Sequence, residues 1–256
     1  MSNLPRIYLI NLDRDTERLA FMIDQLTALG LPFQRVAGVH GIDMPEWLKP
    51  YFLTRSGKIA SELTAGEVGC YASHLLVLKT IVESGRPGLV LEDDVRLGAS
   101  FPALLERIEA DLPADWDIVR LSNRSKRRRV LMRPILDRHV VKYSVVPAGA
   151  GAYLITPLGA HRFLHCKPFR KMPVDQDLRF VWEFGLVTYG ISPAPVQPNV
   201  MGQSSIARFG PILRSTRFVR EAGLVDGLTR RIPYELRWLG LRDWLLARMW
   251  RRYKAG

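Results

Sequence analysis

Short apolar runs alternate along this chain with stretches of helical periodicity, and that alternation confines it to an α/β architecture. Ile7-Tyr8-Leu9-Ile10, bounded by Pro5 and Asn11, reads as a strand buried on both faces. Residues 13–29 then place Leu19, Met22, Ile23 and Leu26 at helical spacing and stop at Gly30. A second strand is expected over 33–39. An irregular surface excursion is expected over 44–58, where two prolines and a glycine interrupt any period. Thr64 opens the clearest helix, because Glu67 stands three residues on, as in a capping box. Val68, Tyr71, Leu75 and Leu78 keep its period, and Gly85-Arg86-Pro87 ends it. Residues 88–91 form a further buried strand with Glu92-Asp93-Asp94 directly behind it.

The pattern continues with a helix over 101–110, a strand over 116–121 and a basic loop or hairpin tip over 122–129. Strands are expected over 140–146 and 150–155, helices over 157–165 and 175–184, and a last strand over 186–191. Strands that alternate with helices imply a mostly parallel open sheet of Rossmann type, flanked by helices.

Composition narrows the class. A hydrophobic fraction of 47% and a charged fraction of 24% suit a soluble globular protein, and 256 residues can bury a substantial core. No window approaches the roughly 20 apolar residues of a membrane span, and the N-terminus carries no secretory apolar core, so a cytoplasmic protein is expected. Two cysteines, Cys70 and Cys166, are too few for a disulfide framework, and Cys70 reads as a small buried side chain.

The formal charge of +12 is unevenly placed. Residues 211–256 hold ten Arg and one Lys against four acidic residues, a surplus of +7, which leaves +5 for residues 1–210. That is too little to mark the core as a nucleic-acid binder. The shift in composition places a boundary near Pro211, between a catalytic domain at 1–210 and a basic, Arg/Trp-rich helical tail at 211–256. In the tail, Trp238, Leu241, Leu245 and Met249 follow helical spacing among Arg237, Arg242, Arg248, Arg251, Arg252 and Lys254. Such a stripe suits either an anionic membrane surface or packing on the domain.

Glu92, Asp93 and Asp94 carry the chemistry. Open α/β sheets place ligands at the carboxyl ends of their strands, where this cluster stands. Three adjacent carboxylates repel one another. A divalent cation, Mn2+ or Mg2+, would relieve that repulsion and neutralise charge on a diphosphate leaving group. A solvated acidic turn is the alternative. None of the five histidines supplies a zinc motif, and His161 and His165 read as structural.

Gly66-Glu67-Val68-Gly69-Cys70-Tyr71-Ala72-Ser73-His74-Leu75, followed by Leu89-Val90-Leu91-Glu92-Asp93-Asp94-Val95, strongly resembles glycosyltransferase family 25. That family includes lipooligosaccharide galactosyltransferases and collagen galactosyltransferases. The opening Ile7-Tyr8-Leu9-Ile10-Asn11-Leu12-Asp13-Arg14 and the later Ala150-Gly151-Ala152-Tyr153-Leu154-Ile155 and Pro173-Val174-Asp175 extend the resemblance over about residues 5–205.

The resemblance implies a GT-A-like fold and a nucleotide-sugar donor held through a metal at Glu92 and Asp94. It places Asn11 near the nucleotide base, with Arg18 and Asp93 beside the nucleotide sugar. Glu67 and His74 would face the donor from the helix, the rival readings being a helix cap and a hydrogen-bonded core histidine. Inversion at the sugar carbon calls for a general base on the acceptor hydroxyl, with Asp175 the candidate and Asp177 the reserve. Asp175 would otherwise be an N-cap. No histidine follows His165 to complete a metal shell, so water, Gln203 or the diphosphate would fill that position.

The implied activity is transfer of galactose from UDP-galactose, with inversion, onto a lipopolysaccharide or lipooligosaccharide acceptor. The partners implied are that donor, a glycan or glycolipid acceptor and the cytoplasmic face of a bacterial inner membrane, with no nucleic acid. A metal-dependent nucleotidyltransferase and a non-catalytic nucleic-acid-binding protein are the alternatives.

Overall fold

The apolar runs become strands and the periodic stretches become helices. A computed structural model describes residues 4–122, 129–143 and 145–197, with Ile232, Tyr234, Leu236 and Gly240. The basic stretch 123–128, Gln203 and, those four residues apart, the tail at 211–256 lie outside the described residues. Along the chain come β1 (Arg6–Asn11), α1 (Thr16–Ala28), β2 (Phe33–Ala37), α2 (Lys49–Phe52), α3 (Ala65–Ser84), β3 (Gly88–Glu92), β4 (Arg96–Leu97) and α4 (Phe101–Asp111). Then follow β5 (Ile118–Arg120), β6 (Arg129–Ile135), β7 (Arg138–Tyr143), β8 (Ala152–Ile155), α5 (Pro157–His165), α6 (Val174–Asp177), β9 (Thr188–Ser192) and β10 (Val196–Gln197).

Among the described residues eight strands form one sheet in the order β2-β1-β3-β8-β5-β9-β7-β6. Only β8 and β7 run against the other six, so the sheet is mixed but mostly one-directional. Both faces are covered. Tyr8, Ile10 and Val90 enter the core layer beneath α3 and α5, whereas Ile7, Leu9, Leu89 and Leu91 enter the layer beneath α1 and α4. That division across single strands is why their sequences read as continuous apolar runs. Among the described residues no helix is long and apolar enough to cross a membrane.

Thr64 caps α3 in a complete capping box, and Gly85 ends the helix in the left-handed conformation at φ 63°. Between these ends Gly69 lets α3 lie against the chain after β2. A Cβ there would stand 2.5 Å from the Val39 carbonyl oxygen and 2.8 Å from the Gly41 nitrogen. Backbone cannot swing aside as a side-chain tip can. Gly69→Ala should therefore cost about 1–3 kcal/mol by overpacking. Thermal unfolding checks this, and an unchanged midpoint would show that the helix shifts without strain.

Three expectations need correction. The basic stretch ends in β6, an edge strand paired with β7 as a hairpin. Its centre is exposed and it carries Arg129, Arg133 and Pro134, so it lacks the apolar alternation that marks buried strands. The helix expected over 175–184 is instead α6 followed by a 3-10 turn, Val181–Glu183, with Phe180 non-helical between them. Val174, Leu178, Val181 and Phe184 all reach the core despite the break, which is why helical spacing looked continuous. Finally, the excursion over 44–58 holds a 3-10 turn, Glu46–Leu48, and α2, which bury Leu48 and Phe52 against α3.

Candidate active site

The strand order turns at β1, which pairs with β2 on one side and β3 on the other. A crevice opens at the carboxyl ends of these strands, at a topological switch point. Its walls are Asn11 from β1, Arg18 from α1, Gly38 to Gly41 after β2, Cys70 and His74 from α3, and Glu92, Asp93 and Asp94 from β3 and its turn. Local sequence explains the convergence. The α3 residues that line it are Gly66, Cys70, Ser73 and His74, which share a helical face by their spacing.

The acidic turn is held from within. Asn11 donates through Nδ2 to Asp93 Oδ2 at 2.8 Å and to the Asp15 carbonyl at 3.0 Å. Its Oδ1 accepts from Arg35 Nε at 3.1 Å. Arg18 Nη1 donates to Asp93 Oδ1 at 3.0 Å and stands 4.0 Å from Asp94 Oδ2. Burial pushes the Asp93 carboxyl up from its ordinary range, while the bonds from Asn11 and Arg18 pull it down. Asp93 is thus the buried anchor of the turn, with both oxygens engaged inside the protein. Asp93 lines the crevice all the same. Asn11 lines it too, with its amide bonded to Asp93, Asp15 and Arg35.

Glu92 faces His74, whose Nε2 lies 3.2 Å from Glu92 Oε1. The imidazole is fully buried, stacks on Tyr153 and meets its hydroxyl through Nδ1 at 2.9 Å. His74 therefore has both expected characters, hydrogen-bonded in the core and present at the crevice wall. Cys70 is one helical turn away, and its thiol is pushed up by burial and then by the surrounding carboxylates, Glu92 first. One atom each from Cys70, His74 and Glu92 falls within 4.8 Å of the others, a set able to hold a metal ion. Sequence reasoning missed Cys70 at this site. The Cys70/His74 spacing of four on a helix was the available signal.

Two further candidates are not among the residues that line the crevice. Glu67 turns back to Thr64, accepting from its amide at 2.8 Å and its hydroxyl at 2.9 Å through Oε2, and is not part of the crevice wall. The helix-cap reading is the correct one. Asp177 is buried, accepting from Tyr71 Oη at 2.6 Å and Lys167 Nζ at 2.7 Å. It thereby ties α3 to the α6 segment.

Asp175 is not the N-cap of α6, since Pro173 holds that place. It lies outside the crevice wall, and its side chain accepts from Gln176 Nε2 at 3.1 Å. Burial raises its carboxyl above the ordinary range, the Gln176 bond opposes that, and the Glu92 charge adds to it. Arg120, unremarked in the sequence, ends β5 on the same face as Tyr153. It is fully buried, and among the described residues none accepts a hydrogen bond from its three guanidinium nitrogens. Its centre is 6.0 Å from the Tyr153 ring, and burial lowers its pKa, with Tyr143, Tyr153, Asp175 and Glu92 opposing.

Comparison with known proteins agrees with this arrangement. The sequence profile described as "Glycosyltransferase family 25 (LPS biosynthesis protein)" matches residues 4–178, which include β1, α3 and the acidic turn. The inactive glycosyltransferase 25 family member 3 of Homo sapiens is 32% identical over 151 residues, covering 56% of this chain and 24% of that protein. Procollagen galactosyltransferase 1-B of Xenopus laevis is 29% identical, covering 69% of this chain and 31% of its own length. Procollagen galactosyltransferase 1 of Danio rerio is 28% identical, covering 67% and 30%. The chain thus spans about a quarter to a third of these relatives. With the profile matched over more than half of its residues, the chain belongs to glycosyltransferase family 25.

Proposed function

We propose that this chain is an inverting glycosyltransferase that moves galactose from UDP-galactose onto a lipopolysaccharide-type acceptor. The observation that carries the reading is the acidic turn. Asp93 is spent on Asn11 and Arg18, while Glu92 and Asp94 remain at the wall of a crevice on the carboxyl edge of the sheet. Galactose is supported by relatives named procollagen galactosyltransferases, and the acceptor by the family description. Relatives named as inactive also match this chain, so turnover itself is the test.

A hard divalent cation fits the oxygen donors present. Glu92 and Asp94 would hold it, as Mn2+ or Mg2+ with water and donor phosphate completing the shell. When bound, such an ion supplies neutralisation of the charge developing on the diphosphate. The chain's own groups do the rest. Asn11 and Arg18 fix the turn through Asp93, and α3 closes one wall of the donor site. Asp175 takes the proton of the acceptor hydroxyl as it attacks. Screening nucleotide sugars for release of nucleoside diphosphate tests the whole reading. Release of pyrophosphate would mean nucleotidyl transfer instead.

Asp175→Asn should lower kcat strongly, by about 100-fold or more, while donor affinity stays within a factor of two or so, because a base acts only in the transition state. Donor titration beside turnover separates the roles. If donor binding weakens in step with turnover, Asp175 belongs to the donor site or the core.

The Arg and Trp content of the tail at 211–256, nearly all of it outside the described residues, supports association with an anionic leaflet at the cytoplasmic face. Tyr234 packs on Trp182 and donates to the Leu186 carbonyl, which anchors that point of the chain to the domain. Sedimentation with anionic vesicles at low salt tests the membrane assignment, and a protein left wholly in the supernatant rejects it.

A further inference from the structure

We propose that Cys70, His74 and Glu92 form a binding site for a thiophilic divalent cation, of which Zn2+ is the type. It differs in donor chemistry from the oxygen-liganded ion assigned to sugar transfer. One sulfur, one imidazole nitrogen and one carboxylate oxygen lie within 4.8 Å of one another. Sulfur and nitrogen donors select zinc-like ions over Mg2+, which takes oxygen. In a tetrahedral zinc site with ordinary bond lengths, neighbouring ligand atoms stand roughly 3.5 Å apart. His74 Nε2 and Glu92 Oε1 are already 3.2 Å apart, and the thiol lies within 4.8 Å of both.

The scaffold is stiff where a metal site needs it to be. Cys70 and His74 are successive on one face of α3, a helix pinned by its capping box and by the close approach at Gly69. Tyr153 lies against the other ring nitrogen of His74, with Nδ1 and the hydroxyl oxygen 2.9 Å apart. A metal-ligating histidine needs an outer partner of this kind, which fixes the ring and its tautomer. With Nδ1–H donating to Tyr153, the neutral ring presents the Nε2 lone pair to the ion. The Cys70 thiol proton leaves to solvent as the sulfur coordinates. All three side chains also line the crevice, which gives the ion a path in and a fourth position for water.

Glu92 is claimed twice, here and by the donor's ion, so a bound thiophilic cation withdraws it from the donor. That consequence rests on the proposed function; the site itself does not. The test therefore reads binding rather than turnover. The full chain is stripped with chelator, dialysed and titrated with Co2+ alone while absorption is recorded. One equivalent should produce a sulfur-to-cobalt charge-transfer band in the near ultraviolet, abolished by added Zn2+. The band should disappear in Cys70→Ser and persist in Cys166→Ser, which removes the exposed second thiol. No band in the intact protein, or a band lost with Cys166 and kept without Cys70, overturns the proposal. Should Cys70→Ser fail to fold, Glu92→Gln provides the second reading. It should weaken cobalt affinity by about tenfold or more, and unchanged affinity overturns the assignment.

Discussion

Asp94→Asn is expected to lower turnover by about two to three orders of magnitude while leaving the fold intact, the loss typical of deleting one electrostatic contact to a transition state. The reason is a division of labour within three adjacent residues. Asp93 carries the structural load, with its two oxygens bonded to Asn11 and Arg18, so the turn keeps its shape when the neighbouring charge is removed. Asp94 stands 4.0 Å from Arg18 at the crevice wall, where on the proposed function its charge would face the diphosphate and its ion. Asparagine keeps the shape and removes the charge. The measurement is turnover of Asp94→Asn beside wild type, each with and without chelator, after matching thermal unfolding. Glu92→Gln should be the milder change if Glu92 acts through a bound water or the donor ribose. Activity unchanged by Asp94→Asn and by chelator rejects the metal assignment.

Local chemistry is what the sequence makes legible. The capping box at Thr64, the glycine stop at Gly85 and the unbroken apolar runs of β1 and β3 each need only a few neighbouring residues, and each forms where expected. The position of the acidic turn followed from the end of β3. The work of individual side chains did not follow, because it is set by partners far away along the chain. Asn11 meets Asp93 across 82 residues, and Tyr71 meets Asp177 across 106. No spacing rule reports that Asp93 is consumed inside the turn or that Asp177 is sealed by a tyrosine and a lysine. Arg120 shows the same limit from the other side. Nothing in its neighbours along the chain announces its surroundings, yet the sheet and its tyrosines bury it completely. β6 was invisible because edge strands are kept polar to prevent further pairing, so the device that protects the edge also erases its sequence signal.

Arg170→Ala should cost about 3–5 kcal/mol of folding stability, the range for truncating a large, fully packed side chain. Arg170 sits in the connection after α5, and its guanidinium lies 5.3–5.4 Å from the ring centres of Tyr51, Tyr71, Phe163 and Phe184. Nη2 donates to the Phe163 carbonyl at 2.6 Å and the Leu164 carbonyl at 2.9 Å, serving oxygens in the last turn of α5. Ring faces surround its remaining nitrogens, with the Tyr71 ring among them. One side chain thereby ties α2, α3, α5 and the 3-10 turn after α6 into a single layer. Truncation would leave a cavity among four rings and two helix-end carbonyls unserved, and neither loss can be repaired by water in so apolar a place. Arg170→Lys keeps the charge but not the planar fork that reaches both carbonyls, and Arg170→Met keeps most of the volume but neither bond. Both should therefore fall between wild type and Arg170→Ala in chemical denaturation. An alanine variant within about 1 kcal/mol of wild type would mean that the four rings close over the gap, and that packing rather than the guanidinium holds this layer together.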